Sequence, residues 1–186
     1  SQYSFFQNLI KRRSQGEPIA YLIGTKEFYS LSFQVDARVL IPRSDTEGLV
    51  DEAVTYIQKH SVVKKILDVG VGSGALLISI LSQCATRSLV GVGCDTFAGA
   101  LSVTRLNAQR LLSSEFNSDV RHEIMFTSPE EAFRLGPYDV VVANPPYLSF
   151  EDWIKTPKDV HIYEPVEALW TQRSLEDWLE QLGVFL

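Results

Sequence analysis

Apolar side chains recur at helical spacing between residues 3 and 14, where Phe5, Phe6, Leu9 and Ile10 share a face. The segment ends in Lys11-Arg12-Arg13, cations that suit the negative end of a helix dipole. Two β-rich runs follow, Ala20 to Ile23 and Glu27 to Val35; separated by Gly24-Thr25, they predict a hairpin or bent ribbon. Past Leu40-Ile41-Pro42-Arg43, Ser44 and Glu47 have the spacing of a capping box and open a helix that runs to about Lys59. The period of the pattern then changes. Lys65-Ile66-Leu67-Asp68-Val69 predicts a short strand, and Gly70-Val71-Gly72-Ser73-Gly74 turns it into a helix with Leu76, Leu77, Ile80 and Leu81 on its buried face. Leu89 to Cys94 predicts a second strand, Ala98 to Leu112 a second helix, and Val120 to Phe126 a third strand. A short helix over Pro129 to Arg134 precedes a fourth strand, Tyr138 to Ala143, whose unbroken apolar run suits burial on both faces. Leu175, Trp178, Leu179 and Leu182 mark an amphipathic helix, and Gly183-Val184-Phe185-Leu186 begins a strand that stops at once.

Strand and helix alternate from Lys65 onward, so the expected fold class is α/β: a doubly wound, mostly parallel sheet preceded by a short helix and a β-hairpin. Residues 1–43 are expected to form the helix-and-hairpin linker and residues 44–186 the sheet domain, incomplete at its carboxyl end. With 186 residues, 45% apolar and 22% charged, the composition excludes a disordered or fibrous chain. The formal net charge of -6 opposes an extended, non-specific grip on a nucleic-acid backbone. Cys84 and Cys94 lack a second pair to complete a metal cage, and His60, His122 and His161 are scattered, so metal catalysis has little support. The apolar stretch from Ala75 to Leu81 is far shorter than the roughly 20 residues that span a bilayer, and an intracellular protein in a reducing compartment is expected.

A strand that ends in glycines and opens a helix lets a ligand approach the backbone closely. Gly70, Gly72 and Ala75 occupy the small positions of a dinucleotide pattern, and Asp95 lies twenty residues beyond Ala75, where a carboxylate can accept from a ribose diol. This much fits a dehydrogenase as well as a methyltransferase. Asp68 sits in an otherwise apolar strand, where a carboxylate is costly without donors; loop N–H groups or a ligand ammonium could supply them.

The more specific signal is Asn144-Pro145-Pro146-Tyr147 at the carboxyl end of the predicted fourth strand. Ligands bind at that edge of a parallel sheet. The prolines lack N–H groups and keep the carbonyls of Asn144 and Pro145 out of a regular ladder. Asn144 thus offers a side-chain acceptor beside a backbone acceptor, a pair that can hold both hydrogens of a planar –NH2, and Tyr147 offers a ring for the flat group to stack on. Two fixed acceptors favour pyramidal character at an amide nitrogen as it attacks an activated methyl, which needs neither a metal nor a nucleophilic side chain.

At these residues the chain resembles the HemK-type (PrmC) family, S-adenosylmethionine-dependent methyltransferases that modify the glutamine amide of the Gly-Gly-Gln motif in peptide chain release factors. The resemblance runs from Glu17-Pro18-Ile19-Ala20-Tyr21 through Gly24, Glu27-Phe28 and Ile41-Pro42-Arg43-Ser44-Asp45-Thr46-Glu47. It continues through Asp68 to Gly74, Asp95, Asn107 to Leu111 and Asn144-Pro145-Pro146-Tyr147, to Tyr163-Glu164-Pro165 and Ala168-Leu169. The Pro-Arg-x-x-Thr-Glu segment is closer to the release-factor enzymes than to their ribosomal-protein relatives. The resemblance implies a Rossmann-like class I methyltransferase domain, S-adenosylmethionine as cofactor and S-adenosylhomocysteine as product. It places Asp68, Gly70, Val71, Gly72, Ser73, Gly74, Asp95, Ser128 and Asn144 against the cofactor and Asn144, Pro145, Pro146 and Tyr147 against the substrate amide. Arg43 and Glu47 would shape the cofactor's cover. Ser128 stands near where the family carries an acidic residue, and the family's amino-terminal helical domain is reduced to residues 3–14. The implied partner is a release factor, with neither metal nor membrane, and the segment Asn107 to Leu111 leans toward mitochondrial members over bacterial cytoplasmic ones. Two other functions remain open: an adenine-amino methyltransferase acting on DNA or RNA, which shares the tetrapeptide, and a binding protein without turnover.

Overall fold

The computed structural model describes residues 2–112 and 122–171. The start of the predicted third strand and the elements predicted beyond Leu175 lie outside the described residues. Helix α1, Gln2–Ser14, buries none of its residues. The run Ala20 to Ile23, expected as a strand, is instead part of helix α2, Ile19–Ile23. Pro18 stands at its start and Gly24, with φ 75°, at its end; these helix signals outweigh the β propensity of so short a segment. The hairpin begins one element later, pairing β1, Thr25–Phe28, with β2, Leu31–Gln34. Its two-residue turn places Tyr29 and Ser30 at positive φ, the handedness that matches strand twist.

The expected capping box does not form. Ser44–Thr46 makes a single 3-10 turn, and helix α3 runs from Glu47 to Lys59. Glu47 Oε1 accepts from the backbone N–H of Tyr29 at 2.8 Å, so a tertiary contact takes the carboxylate that the local pattern assigned to the helix.

The alternation that follows agrees with the pattern of the chain: β3 Lys65–Val69, α4 Ala75–Gln83, β4 Val90–Cys94, α5 Ala98–Leu112, β5 Glu123–Thr127, α6 Pro129–Arg134 and β6 Val140–Ala143. Two short helices, α7 Phe150–Trp153 and α8 Lys158–Tyr163, come after. The four strands form a parallel sheet in the order β5-β4-β3-β6. The chain steps outward from β3 to β5 and returns to the other side of β3, which puts the topological switch between β3 and β6. One sheet face carries Ile66 against Leu77, Ile80, Val50 and Ile57, together with Phe28 and Phe33 of the hairpin. The other carries Leu67, Val69 and Val92 against Ala132 of α6. Each such large apolar side chain contributes about 1.5–3 kcal/mol by leaving water. β6 is at the edge of the described sheet, with Val142 buried and Val140, Val141 and Ala143 half-buried.

Register decides where the loops emerge. Val69 pairs with both Cys94 and Ala143, and Cys94 with Thr127, so the four strands end in one row. The next residue of each is Gly70, Asp95, Ser128 and Asn144.

Candidate active site

Above this row lies a cavity of about 1270 Å³. Asp68, Gly70, Val71, Gly72 and Ser73 line it from β3 and the following loop, Asp95 from the end of β4, and Asn144, Pro145 and Pro146 from the end of β6. Leu40, Pro42, Arg43 and Thr46 close it on the hairpin side, and Pro165, Glu167 and Ala168 from the segment after α8. Phe97, Pro129 and Phe133 give it an apolar region beside β4 and β5, with Glu130 and Arg134 next to them.

The glycine loop is held from behind. Asn107 on α5 is fully buried; its Oδ1 accepts from the Gln34 N–H at 2.7 Å, and its Nδ2 donates to the carbonyls of Gln34 and Ser73, each at 2.9 Å. One side chain thereby joins hairpin, helix and loop. Thr104 Oγ1 lies 2.6 Å from the Gly72 carbonyl and 3.1 Å from that of Ala100. Gly74 has φ 85°, and a Cβ there would stand 2.6 Å from Ile78 Cδ1 and 2.9 Å from Thr104 Cγ2. Gly74 therefore lies outside the cavity wall and serves the close approach of α4 and α5, whereas the resemblance placed it against the cofactor.

Several loop N–H groups are used within the fold. Gly70 and Val71 both donate to the Cys94 carbonyl at 2.9 Å, Gly74 to the Val71 carbonyl at 2.8 Å, and Gly72 to Asp95 Oδ2 at 3.0 Å. Asp95 Oδ1 accepts from the Phe97 N–H at 3.0 Å, so this residue is at once a turn-forming cap and part of the wall. Asp68 Oδ2 accepts from the Leu77 N–H at 3.2 Å, while Oδ1 is buried without a partner. Burial pushes the Asp68 carboxyl up to about 7; the Leu77 hydrogen bond opposes this and the charge of Asp95 adds to it. A loop whose Gly72 N–H is already taken, flanked by two carboxyl groups, suits a cationic ligand and repels a pyrophosphate. This separates the dehydrogenase reading from the methyltransferase one. The orphaned Asp68 oxygen, the apolar region for a flat ring and the acceptor Asp95 for a diol together fit S-adenosylmethionine.

The remaining expected residues are distributed differently. Ser128 lies outside the cavity wall and caps α6 through the Glu131 N–H, its Oγ being the acceptor that a helix start requires, while Glu130 two residues on does line the cavity. Tyr147 lies outside the wall and is 71% exposed, carried outward by the extended Pro145-Pro146 segment. Arg43 lines the cavity, but Glu47 is bound to the hairpin turn instead. Glu164 falls in the Tyr163-Glu164-Pro165 segment, to which the resemblance assigns no role. Its side chain is 1% exposed, accepting from the Ile41 N–H at 3.0 Å and from Arg43 Nη2 at 2.5 Å. It ties the two walls of the cavity together across more than a hundred residues of chain, a contact that no local spacing signals. Among the described residues no group of His, Cys, Asp or Glu is placed to hold a metal ion, and no helix is long and apolar enough to cross a membrane.

Sheet order, glycine loop and cavity define a class I S-adenosylmethionine-dependent methyltransferase fold, and S-adenosylmethionine is its cofactor. Residues 49–158 match the family model of the methyltransferase small domain, and residues 1–24 that of the PrmC N-terminal domain. The chain belongs to the methyltransferase small-domain family, and its first 24 residues are similar to the PrmC N-terminal domain. It is 38% identical over 173 residues to the release factor glutamine methyltransferase of Buchnera aphidicola subsp. Schizaphis graminum, covering 93% of this chain and 58% of the relative. It is 34% identical over 168 residues to that of Rhodopirellula baltica, covering 88% and 54%. The chain thus spans little more than half the length of these curated relatives. Both are bacterial, which gives the mitochondrial expectation no support. Among solved structures, the catalytic domain of hMettl16 in complex with MAT2A 3'UTR hairpin 1 superposes with a TM-score of 0.53 at 11% identity, over 85% of this chain and 56% of that one; this likeness concerns the fold alone.

Proposed function

We propose that this chain transfers a methyl group from S-adenosylmethionine to the side-chain amide nitrogen of the glutamine in the Gly-Gly-Gln motif of a peptide chain release factor. The observation that carries the reading is the register that sets Asn144 beside Gly70, so that Asn144, Pro145 and Pro146 line the same cavity as the glycine loop. The cofactor supplies a methyl already activated by its sulfonium. The residues have only to orient the acceptor and exclude water. Asn144 Oδ1 and the Pro145 carbonyl accept the two amide hydrogens, turn the nitrogen lone pair toward the cavity and stabilise the positive charge that develops on it. Tyr147, exposed at the outer end of the motif, meets the flat amide and the peptide that carries it. Pro145 and Pro146 hold this geometry by restricting the backbone.

An adenine –NH2 would use the same two acceptors. The net charge of -6 and the match of residues 1–24 to the PrmC N-terminal domain favour a protein substrate. Incubation with methyl-labelled cofactor and a release factor should label the protein, and a Gly-Gly-Ala substrate should take up none. Equal labelling of both substrates would overturn the proposal, and transfer to DNA or RNA alone would favour the adenine reading. No transfer to any acceptor would favour a binding role.

A further inference from the structure

Ala143 is paired with Val69 in the sheet, so the acceptor segment that follows it starts from a fixed point. Pro145 and Pro146 have no N–H with which to hold the stretch beyond Asn144. The chain is caught again at Leu148, whose N–H donates to the Leu169 carbonyl at 3.1 Å and which forms a single parallel bridge with Trp170. Asn144 to Tyr147 is thus a span of backbone with the sheet at one end and this bridge at the other. The bridge stands on aromatic rings. Trp170 stacks on Trp153 with centroids 6.2 Å apart and planes at 25°, and the Phe150 ring lies 5.7 Å from each of them. Trp153 also meets the His161 ring at 4.2 Å. None of the four rings lines the cavity.

The cluster is not built for stability alone. Trp153 Nε1 and His161 Nδ1 are buried without a hydrogen-bond partner, a cost that an all-carbon cluster would avoid. In return, two broad rings that stack have a preferred mutual orientation, whereas aliphatic contacts are non-directional. We propose that Trp153 and Trp170 are positioning residues for methyl transfer: their stack fixes the Leu148 bridge, and the bridge fixes the acceptor segment against the cofactor's methyl. The inference rests on the assignment of the acceptor amide to Asn144 Oδ1 and the Pro145 carbonyl. Those two oxygens serve one –NH2 only in one mutual orientation. Releasing the Leu148 end lets the span turn the Pro145 carbonyl away while the sheet keeps the start of the span in place, so the loss falls on transfer and not on cofactor binding.

Hydrogen exchange resolved by NMR reads the anchoring directly. Trp153→Leu should speed exchange of the Leu148 amide by about tenfold or more while the β3 amides exchange as in the wild type. With methyl-labelled cofactor and a release factor, the same variant should lose about ten- to hundredfold in kcat, with KM within about threefold and S-adenosylhomocysteine affinity within about twofold of the wild type. Trp153→Phe keeps a ring and removes the orphaned N–H, so it should melt no lower than the wild type and recover most of both readouts. Phe150 is 53% exposed, so Phe150→Ala should fold whether or not Trp153→Leu does, with smaller changes in the same direction. Unchanged Leu148 exchange in these two variants would overturn the inference, as would losses of transfer and of S-adenosylhomocysteine affinity that together track the melting temperature. The exchange measurement needs no methyl acceptor. It judges the stack by itself, and a wild-type protein that labels no glutamine would count against the glutamine reading alone.

Discussion

Replacing Asn107 with Ala tests the claim that one buried amide holds the glycine loop to the hairpin. The substitution removes three hydrogen bonds and leaves the Gln34 N–H, the Gln34 carbonyl and the Ser73 carbonyl without their partner at a position where the native side chain is fully buried. An uncompensated buried group costs about 1–3 kcal/mol, and a water entering the vacated space recovers part of this, so a net loss of about 2–4 kcal/mol is expected. For a chain of this length that corresponds to a fall in melting temperature of roughly 5–15 °C. Urea denaturation followed by circular dichroism measures the loss, which should show as a lower midpoint with an unchanged slope. Asn107→Asp keeps an acceptor for the Gln34 N–H but sets a carboxylate against two carbonyl oxygens, so it should lose at least as much. S-adenosylhomocysteine affinity should fall in Asn107→Ala even where the variant is fully folded, because Ser73 belongs to the cavity wall. A stability loss under about 0.5 kcal/mol, the range of ordinary surface substitutions, would refute the reasoning.

Glu164→Ala should weaken S-adenosylhomocysteine binding and lower stability by roughly 1–3 kcal/mol, because the Ile41 N–H is left buried and Arg43 loses its acceptor; unchanged binding by calorimetry would show that the tie does not shape the cavity. Tyr147→Ala should leave the melting temperature within error and cofactor affinity unchanged while raising the KM for a release factor, and equal losses in cofactor affinity and substrate use would remove its assignment to the acceptor. The free protein should also become less stable as pH rises from about 4 to about 7. Asp68 titrates near 7 when folded and near 4 when unfolded, so the folded state binds the extra proton in that window and gives up the advantage as the proton leaves. Thermal melts of Asp68→Asn across the window should be flatter than those of the wild type, and parallel curves would contradict the assignment.

Much of this molecule was legible along the chain because its signals are local. The periods of two and 3.6 residues located every strand and helix of the described sheet, and the glycines between β3 and α4, like the prolines after β6, announce backbone that cannot continue a regular element. The Ile19–Ile23 helix departs from the expected strand because five apolar residues satisfy either period, and only the flanking Pro18 and Gly24 decide between them. The local pattern also allotted Glu47 to a capping box, and the family resemblance set Gly74 and Ser128 against the cofactor. In the folded chain Glu47 meets the Tyr29 N–H, the space at Gly74 belongs to Ile78 and Thr104, and Ser128 turns to the helix it caps.

The sequence alone determined the chemistry available: which groups could accept from an amide, which loop could admit a ligand, and the parallel alternation that brings such loops to one edge. Which of them meet is set by packing through space. The row of strand ends, the Asn107 tether, the Glu164 tie and the unpartnered oxygen of Asp68 all arise between residues far apart in the chain. Hydrogen bonding and burial are satisfied through space, so no local spacing carries their record.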